Sequence, residues 1–259
     1  ASAAAPAAWK IDGQKVVTYW EAILQTTLPK SVVIIGSGAI GIVFASFYND
    51  MGSQVTVVEM MDRIVPVEDA DVSAFLEKAL VKQGMTIMTG AGVEELKATA
   101  TGVSAKIKGK DGKVIASEFT HCIVAIGIVP NTENIGLEAL GVKIDRTHVV
   151  TDEYCRTGVE GLYAIGDIAG APWLAHKASH EGVMVAELIA GGHPHPIKPG
   201  SIAGCTYCHP QVASVGLTEA QAKALEAAES SSRLALEATQ LGYKVGVRVN
   251  IDVLNSQSQ

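Results

Sequence analysis

No apolar run in this chain of 259 residues reaches the roughly 18 residues that a transmembrane helix needs. The start, Ala1 to Ala8, is rich in alanine but has neither the basic opening nor the leucine-rich core of a secretory signal. Cysteine is sparse. Four thiols are too few for a disulfide scaffold, which points to a reducing, cytoplasmic setting. Positive charge is in deficit: 20 Lys and Arg against 27 Asp and Glu leave a formal net charge of −7. That balance argues against a nucleic-acid partner or an anionic membrane surface, and leaves room only for a local basic patch. What the chain does have is a globular composition, 48% apolar and 18% charged, and enough length to bury the core of one large domain or two modest ones. Its 26 glycines exceed the usual share of about 7%. They follow no triplet period, so they signal tight turns and not collagen.

The first 29 residues carry little pattern. From Lys30 the texture changes. Ser31-Val32-Val33-Ile34-Ile35 is a continuous apolar run, as in a strand covered on both faces. Gly36-Ser37-Gly38-Ala39-Ile40-Gly41 follows, then a helical stretch from Ile42 to Asn49, then a second buried strand, Val55 to Val58, ending at Glu59. Strand, glycine turn, helix and strand within about 30 residues make a βαβ unit with parallel strands. Asp71 to Lys82 has apolar residues at helical spacing, and Met85 to Met88 is a short strand. Val103–Ile107 and Val114–Phe119 flank Gly109-Lys110-Asp111-Gly112 and predict a hairpin. Cys122 to Ile126 is a further buried strand, ending at Gly127. Beyond it, Gly161 to Asp167 reads as a short strand, Leu174 to Ala190 as a long helix and Gly191 to Gly204 as a linker. Gln211 to Val215 reads as a strand, Thr218 opens an Ala/Glu-rich helix, and Tyr243 to Val253 alternates Val with polar residues as one more strand would.

The chemical signal is Gly36-x-Gly38-x-x-Gly41. The first glycine permits the strand-to-helix turn, the second lets a pyrophosphate approach the backbone, and the third lets helix and strand pack closely. The phosphates then sit at a helix N-terminus, where free N–H groups and the dipole favour anions. Glu59, at the end of the next strand, can accept hydrogen bonds from ribose hydroxyls and would repel a 2′-phosphate, which favours NAD over NADP. Arg63 lies nearby and could serve a phosphate instead. Asp167, just past a buried strand, is either a ligand for a sugar or ribityl hydroxyl or an ordinary turn cap. Cys205-Thr206-Tyr207-Cys208-His209 has the form of a haem c attachment site. A dithiol, or zinc held with His193, His195 or His209, is also conceivable, but a structural role is favoured. His176 and His180 lie one helical turn apart. Without the HExxH order they fit a surface pair better than a metal site. Cys122 fits a small core residue, and Cys155 has no evident partner.

Together these segments resemble a known family. Val33 to Gly41, Phe44-Ala45-Ser46-Phe47 and Val55 to Glu59 are similar to the NAD domain of dihydrolipoyl dehydrogenases, flavoprotein disulfide reductases that serve 2-oxoacid dehydrogenase complexes. Cys122 to Gly127 with Pro130-Asn131 resembles the end of that domain. Tyr163 to Gly170, Leu174 to Ala178 and His180-Glu181-Gly182 resemble the family's second FAD-contacting segment, and Cys205 to Glu219 the opening of its dimer-interface domain. The match runs over roughly residues 15 to 223. It implies that Gly36, Gly38, Gly41 and Glu59 hold NAD and that Gly127 lies along the same nucleotide. Asp167 would meet the FAD ribityl chain or its phosphates, with Leu174, Ala175 and His176 on the flavin side. It also makes the CxxCH stretch an interface segment. The implied activity is FAD-mediated electron transfer between dihydrolipoamide and NAD⁺. The implied partners are the lipoyl domains of a 2-oxoacid dehydrogenase complex and a second copy of the chain in a homodimer.

The departures are specific. The family opens with an FAD-binding segment carrying its own glycine fingerprint, and it carries a redox pair of cysteines separated by four residues; no two cysteines here have that spacing. Its C-terminal His–Glu base is not matched, since His193-Pro194-His195-Pro196 falls too early. Two residues after the third glycine the family usually has Glu facing nicotinamide and flavin, where this chain has Val43. No catalytic residue and no metal ligand is therefore assigned. The chain is read as a fragment, an incompletely traced chain or a degenerate member, expected not to turn over lipoamide alone. The expected architecture is α/β: a connecting segment over 1–29, a Rossmann-like NAD-binding domain over 30–144, part of an FAD-binding domain over 145–195, and the start of an α+β dimerisation or interface domain over 196–259. Another NAD(P)H-dependent flavoprotein disulfide reductase, or a non-catalytic NAD-binding module, are the alternatives.

Overall fold

The structure is a computed structural model and describes residues 1–244. The chain divides into a unit spanning Ala1–Gly216 and a second beginning at Leu217. In chain order the first unit opens with β1 (Ser2–Ala3), β2 (Val16–Val17), the short helix α1 (Tyr19–Ile23), β3 (Ser31–Ile35), α2 (Ala39–Asp50), β4 (Gln54–Val58), α3 (Ala70–Lys82) and β5 (Thr86–Met88). Then come β6 (Gly92–Ala98), β7 (Val103–Lys108), β8 (Val114–Phe119), β9 (His121–Val124) and β10 (Ile128–Val129). A small hairpin of β11 (Ile144–Asp145) and β12 (His148–Val149) precedes a 3₁₀ turn over Gly166–Ala169 and α4 (Ala175–Ile189). A further 3₁₀ turn, Pro199–Ser201, leads to the antiparallel pair β13 (Gly204–Thr206) and β14 (Val212–Ser214).

Five strands in the order β2-β9-β3-β4-β5 form one sheet, and every pairing in it is parallel. Parallel neighbours need a crossover, and α2 provides it between β3 and β4. The apolar run of β3 follows from its position. Val32 and Ile34 point to one face, where they join Val57, Ile123, Ile42 and Ala45 of α2 and Leu76 and Leu80 of α3. Val33 and Ile35 point to the other, against Cys122, Val124, Leu96, Val103, Ala105 and Ile107. That second cover is the antiparallel sheet β6-β7-β8. Each fully buried Val, Leu or Ile contributes roughly 1.5–3 kcal/mol of burial, so a strand buried on both faces anchors the unit.

The helices begin and end where local chemistry directs. Thr18 and Glu21 form a reciprocal cap on α1: the Trp20 amide donates to Thr18 Oγ1, and the Thr18 amide and hydroxyl donate to Glu21 Oε2. These bonds, chiefly the one from the Thr18 hydroxyl, hold the Glu21 carboxyl below the usual carboxylate range. α2 starts directly on Gly38 and α3 is followed by Gly84 at φ +100°.

The βαβ unit, the hairpin, the helix after Leu174 and the strand near Val212 stand where the sequence places them. Three features differ. The first 29 residues contain two strands and a helix, because Val16–Val17 gains its place only by pairing with β9. β6 carries a register shift between Val93 and Glu95, so its apolar alternation is broken and it does not read as a strand. The stretch from Gly161 forms only a bridge, Arg156 with Tyr163, and Gly166 at φ +72° ends the extended chain and opens the 3₁₀ turn.

The second unit contains α5 (Glu219–Lys244). The Thr218 amide donates to Gln221 Oε1 at 2.9 Å and the Gln221 amide to Thr218 Oγ1 at 3.2 Å, a second reciprocal cap. The strand expected over 243–253 begins on the last two residues of α5, and the rest of it lies outside the described residues. Among the described residues no helix is long and apolar enough to cross a membrane.

Candidate dinucleotide site

All five parallel strands end on the same edge of the sheet, and the glycine turn leaves β3 at that edge. Ile35 is in register with Val58 on one side and Val124 on the other. The residues that follow, Gly36, Glu59 and the Ala125–Gly127 stretch, therefore meet there. Ligands of open α/β sheets bind in this position, outside the carboxyl ends of the strands.

The three glycines do three different things. Gly36 sits at φ +101°, and a Cβ on it would fall 2.4 Å from the Ala125 carbonyl oxygen of β9's extension. Its amide donates to the Val58 carbonyl at 2.9 Å, which ties the turn to β4. A Cβ on Gly41 would fall 2.0 Å from the Gly36 carbonyl oxygen, so this glycine sets how closely α2 approaches its own turn. Gly38 is the helix N-cap, and a Cβ there would meet nothing within 4 Å. The backbone at Gly38 is therefore unobstructed on its Cβ side, at a helix N-terminus where an anion is favoured.

Glu59 is held by its main chain and by its side chain. Its amide donates to the Met88 carbonyl at 2.9 Å and its carbonyl accepts from Ala91. Its Oε2 accepts from both the Ser37 amide (2.8 Å) and the Ser37 hydroxyl (2.7 Å), and its Oε1 from the Met61 amide (2.8 Å). The carboxylate is thus fastened to the glycine turn. The guanidinium of Arg63 is turned back on its own loop: Nη2 donates to the Pro66 carbonyl at 3.2 Å, and the buried Nε has no hydrogen-bond partner. Gly127 lies past the end of β9 at φ +128°, and its carbonyl accepts from the amide of Ala4, just after β1.

The second group of expected residues is held elsewhere, around α4. Asp167 lies on the 3₁₀ turn, Leu174 is the N-cap of α4 and Ala175 its first residue. His176 is exposed, with Nε2 2.9 Å from the Ala203 carbonyl oxygen. Beneath the turn lies an ion pair the motif reading did not single out. Lys177 Nζ is 2.9 Å from Glu181 Oε1 and also donates to the carbonyls of Gly166 (3.3 Å) and Gly170 (3.1 Å). Glu181 Oε2 accepts from the Gly166 amide at 2.7 Å. The one signal for this in sequence was a Lys and a Glu four apart on a helix. Ser37 was missed for another reason: it occupies a variable position of the glycine motif.

The cysteines have different surroundings. Cys208 is buried in the helix-side core, burial pushes its thiol up, and Sγ lies 3.1 Å from the Pro210 carbonyl oxygen. Burial pushes the Cys155 thiol up to about 11 and raises Cys122 as well. His209 Nδ1 pairs with Asp50 Oδ2 at 2.9 Å. A cavity of about 610 Å³ beside α4 is lined by His176, His180 and His195, yet among the described residues no three His, Cys, Asp or Glu side chains group as a metal site. An apolar cavity of about 940 Å³ opens between α1 and α2, with Ile40, Val43 and Phe44 in its wall.

The parallel sheet, the glycine turn at its carboxyl edge and the acidic end of β4 define a Rossmann-like α/β protein. The chain belongs to the pyridine nucleotide-disulphide oxidoreductase family: that family's model matches residues 2–182, and the model of the family's dimerisation domain matches residues 202–242. It is 53% identical over 213 residues to a dihydrolipoyl dehydrogenase of Zymomonas mobilis, covering 82% of this chain and 46% of that one. To a dihydrolipoyl dehydrogenase of Rhizobium etli it is 54% identical over 215 residues, covering 83% and 45%. The chain spans about half the length of the curated relatives it matches. Among solved structures it is similar to LpdA of Mycobacterium tuberculosis, with a TM-score of 0.77 at 27% identity over 95% of this chain and 53% of that one. The flavoprotein disulfide reductase RclA of Escherichia coli shares the fold, with a TM-score of 0.74 at 24% identity over 81% of this chain and 47% of that one.

Proposed function

We propose that these residues serve a dihydrolipoyl dehydrogenase, supplying the NAD side and part of the flavin wall of an electron transfer between dihydrolipoamide and NAD⁺. The observation that carries the reading is the unobstructed backbone of Gly38 at the N-terminus of α2, with Gly36 and Gly41 both too crowded to bear a side chain. In this reading Gly36, Gly38 and Gly41 seat the diphosphate of NAD, Glu59 accepts from the adenosine ribose, and Gly127 borders the same nucleotide. Asp167 presents its carboxylate to the ribityl chain or phosphates of FAD, with Leu174, Ala175 and His176 beside the flavin. When bound, FAD and NAD supply the redox chemistry; the protein's part is to seat, orient and shield them. The buried Lys177–Glu181 pair holds the turn that carries Asp167. The domain division at 30–144, 145–195 and 196–259, a cytoplasmic homodimer, and lipoyl domains of a 2-oxoacid dehydrogenase complex as partners belong to the same reading and rest on the resemblance.

A second reading is favoured by one residue. Val43 contributes an apolar side chain to the wall of the cavity beside α2, at the position where the family usually has Glu. A site without that carboxylate suits an NAD-binding module with no hydride transfer of its own. Calorimetric titration with NADH, together with the visible spectrum of the purified protein, tests both. Saturable NADH binding that is lost in Gly38→Val supports the dinucleotide site, and yellow flavin bands in addition support the enzyme over the module. No NADH binding by the wild-type chain refutes both.

A further inference from the structure

We propose that Ser37 is a positioning residue that makes the dinucleotide site selective against a 2′-phosphate, by pinning the carboxylate of Glu59. The inference rests on the dinucleotide reading above and concerns a residue that the glycine fingerprint leaves variable. A carboxylate has about four lone-pair sites. Three are taken: the Ser37 amide and hydroxyl both donate to Oε2, at 2.8 and 2.7 Å, and the Met61 amide donates to Oε1. Ser37 is itself completely buried, and its carbonyl accepts from the Val65 amide, so its backbone is fixed from both sides. The clamp therefore joins the turn after β3 to the end of β4 through two charge-assisted bonds from one residue.

This geometry affects the two ligands differently. An unphosphorylated ribose needs one acceptor, and one lone-pair site on Oε1 remains for it. A 2′-phosphate brings negative charge to the same place. A free carboxylate could rotate away from it; a carboxylate held by three donors cannot do so without breaking them. The repulsion is then retained in full, and selectivity comes from an element set against the wrong ligand. Arg63, four residues along the chain from Glu59, is turned onto the Pro66 carbonyl.

The test is the ratio of dissociation constants for NADPH and NADH, measured by calorimetry on the 259-residue chain and its Ser37→Ala, Ser37→Cys and Glu59→Gln variants. A merely structural role for Ser37 would weaken both ligands together and leave the ratio unchanged. The expected result is a wild-type preference for NADH that drops about fivefold or more in Ser37→Ala, mainly through tighter NADPH binding. Ser37→Cys, which keeps the volume and a weak donor, should fall between, and Glu59→Gln should lose most of the preference. An unchanged ratio in both Ser37 variants, with the ratio collapsed in Glu59→Gln, overturns the proposal and leaves the dinucleotide site standing. Failure of the wild-type chain to bind either dinucleotide overturns the site and the proposal together.

Discussion

The pair Lys177–Glu181 allows a calculation from geometry. Its side chains are 7% and 11% exposed, and between them they make four contacts: one to each other and three to the backbone of Gly166 and Gly170. Lys177→Met leaves the Glu181 carboxylate buried with one donor, the Gly166 amide, and leaves two carbonyls without their cation. Removing one partner of a fully buried pair costs about 3–5 kcal/mol. The residual exposure here argues for the lower end, about 3 kcal/mol. For a protein of this size each kcal/mol moves Tm by roughly 2–4 °C, so the expected loss is about 6–12 °C by circular dichroism. Replacing both partners, as in Lys177→Met with Glu181→Gln, leaves no isolated charge. The double variant should be less destabilised than the sum of the two single variants by more than about 1.5 kcal/mol. Amide exchange should accelerate at 166–170, the turn that presents Asp167, beyond any general increase. A drop of less than 2 °C in Lys177→Met, or strict additivity in the double variant, would refute the reasoning.

Two other outcomes follow from named contacts. Gly41→Ala places a Cβ 2.0 Å from the Gly36 carbonyl oxygen, so it should lower stability by about 3 kcal/mol or more, whereas Gly38→Ala meets nothing and should keep the wild-type Tm while weakening NADH binding; denaturation and titration of both variants separate the two roles. Thr18→Ala removes the cap of α1 and should cost about 1 kcal/mol in urea unfolding at neutral pH. The Glu21 carboxyl is held below its unfolded value by the Thr18 hydroxyl, so its contribution is present above the unfolded pKa and is lost as pH falls through the folded one. The gap between wild type and variant should accordingly narrow on acidification below about pH 4.

The parts of the fold that were legible are those whose surroundings impose a local pattern. A strand with helices on one face and a second sheet on the other is apolar on both faces, and β3 from Val32 on and β4 at Val55, Val57 and Val58 were readable for that reason. The glycine turn was legible because two of its positions obey separate steric demands and the third stands directly before a helix. Gly36 and Gly41 are required by backbone oxygens 2.4 and 2.0 Å from where a Cβ would stand, and Gly38 is followed at once by a helix. The elements that were not legible depend on distant pairing. Val16 and Val17 are two residues in a polar stretch, and they become a strand only because Cys122 and Ile123 pass beside them. β6 is held by its register with β7, across which Glu95 also pairs with Lys106, while its bulge hides the alternation that would have announced it.

The same distinction applies to the site. Glycines and a strand-end acid can be found by spacing, because they lie within one βαβ unit. What fixes the orientation of the acid cannot be found that way. Ser37 reaches Glu59 only after the parallel pairing of β3 with β4 brings residues 22 apart in sequence into hydrogen-bond contact. Ala125 likewise becomes a neighbour of Gly36 through the pairing of β3 with β9, across a whole antiparallel sheet inserted between them in sequence. Spacing therefore identifies which groups could touch a dinucleotide, and the sheet register determines how rigidly they are aimed. On the proposal made for Ser37, selectivity between two nucleotides that differ by one phosphate depends on that rigidity, so the residues that set it are to be sought one strand away from the motif.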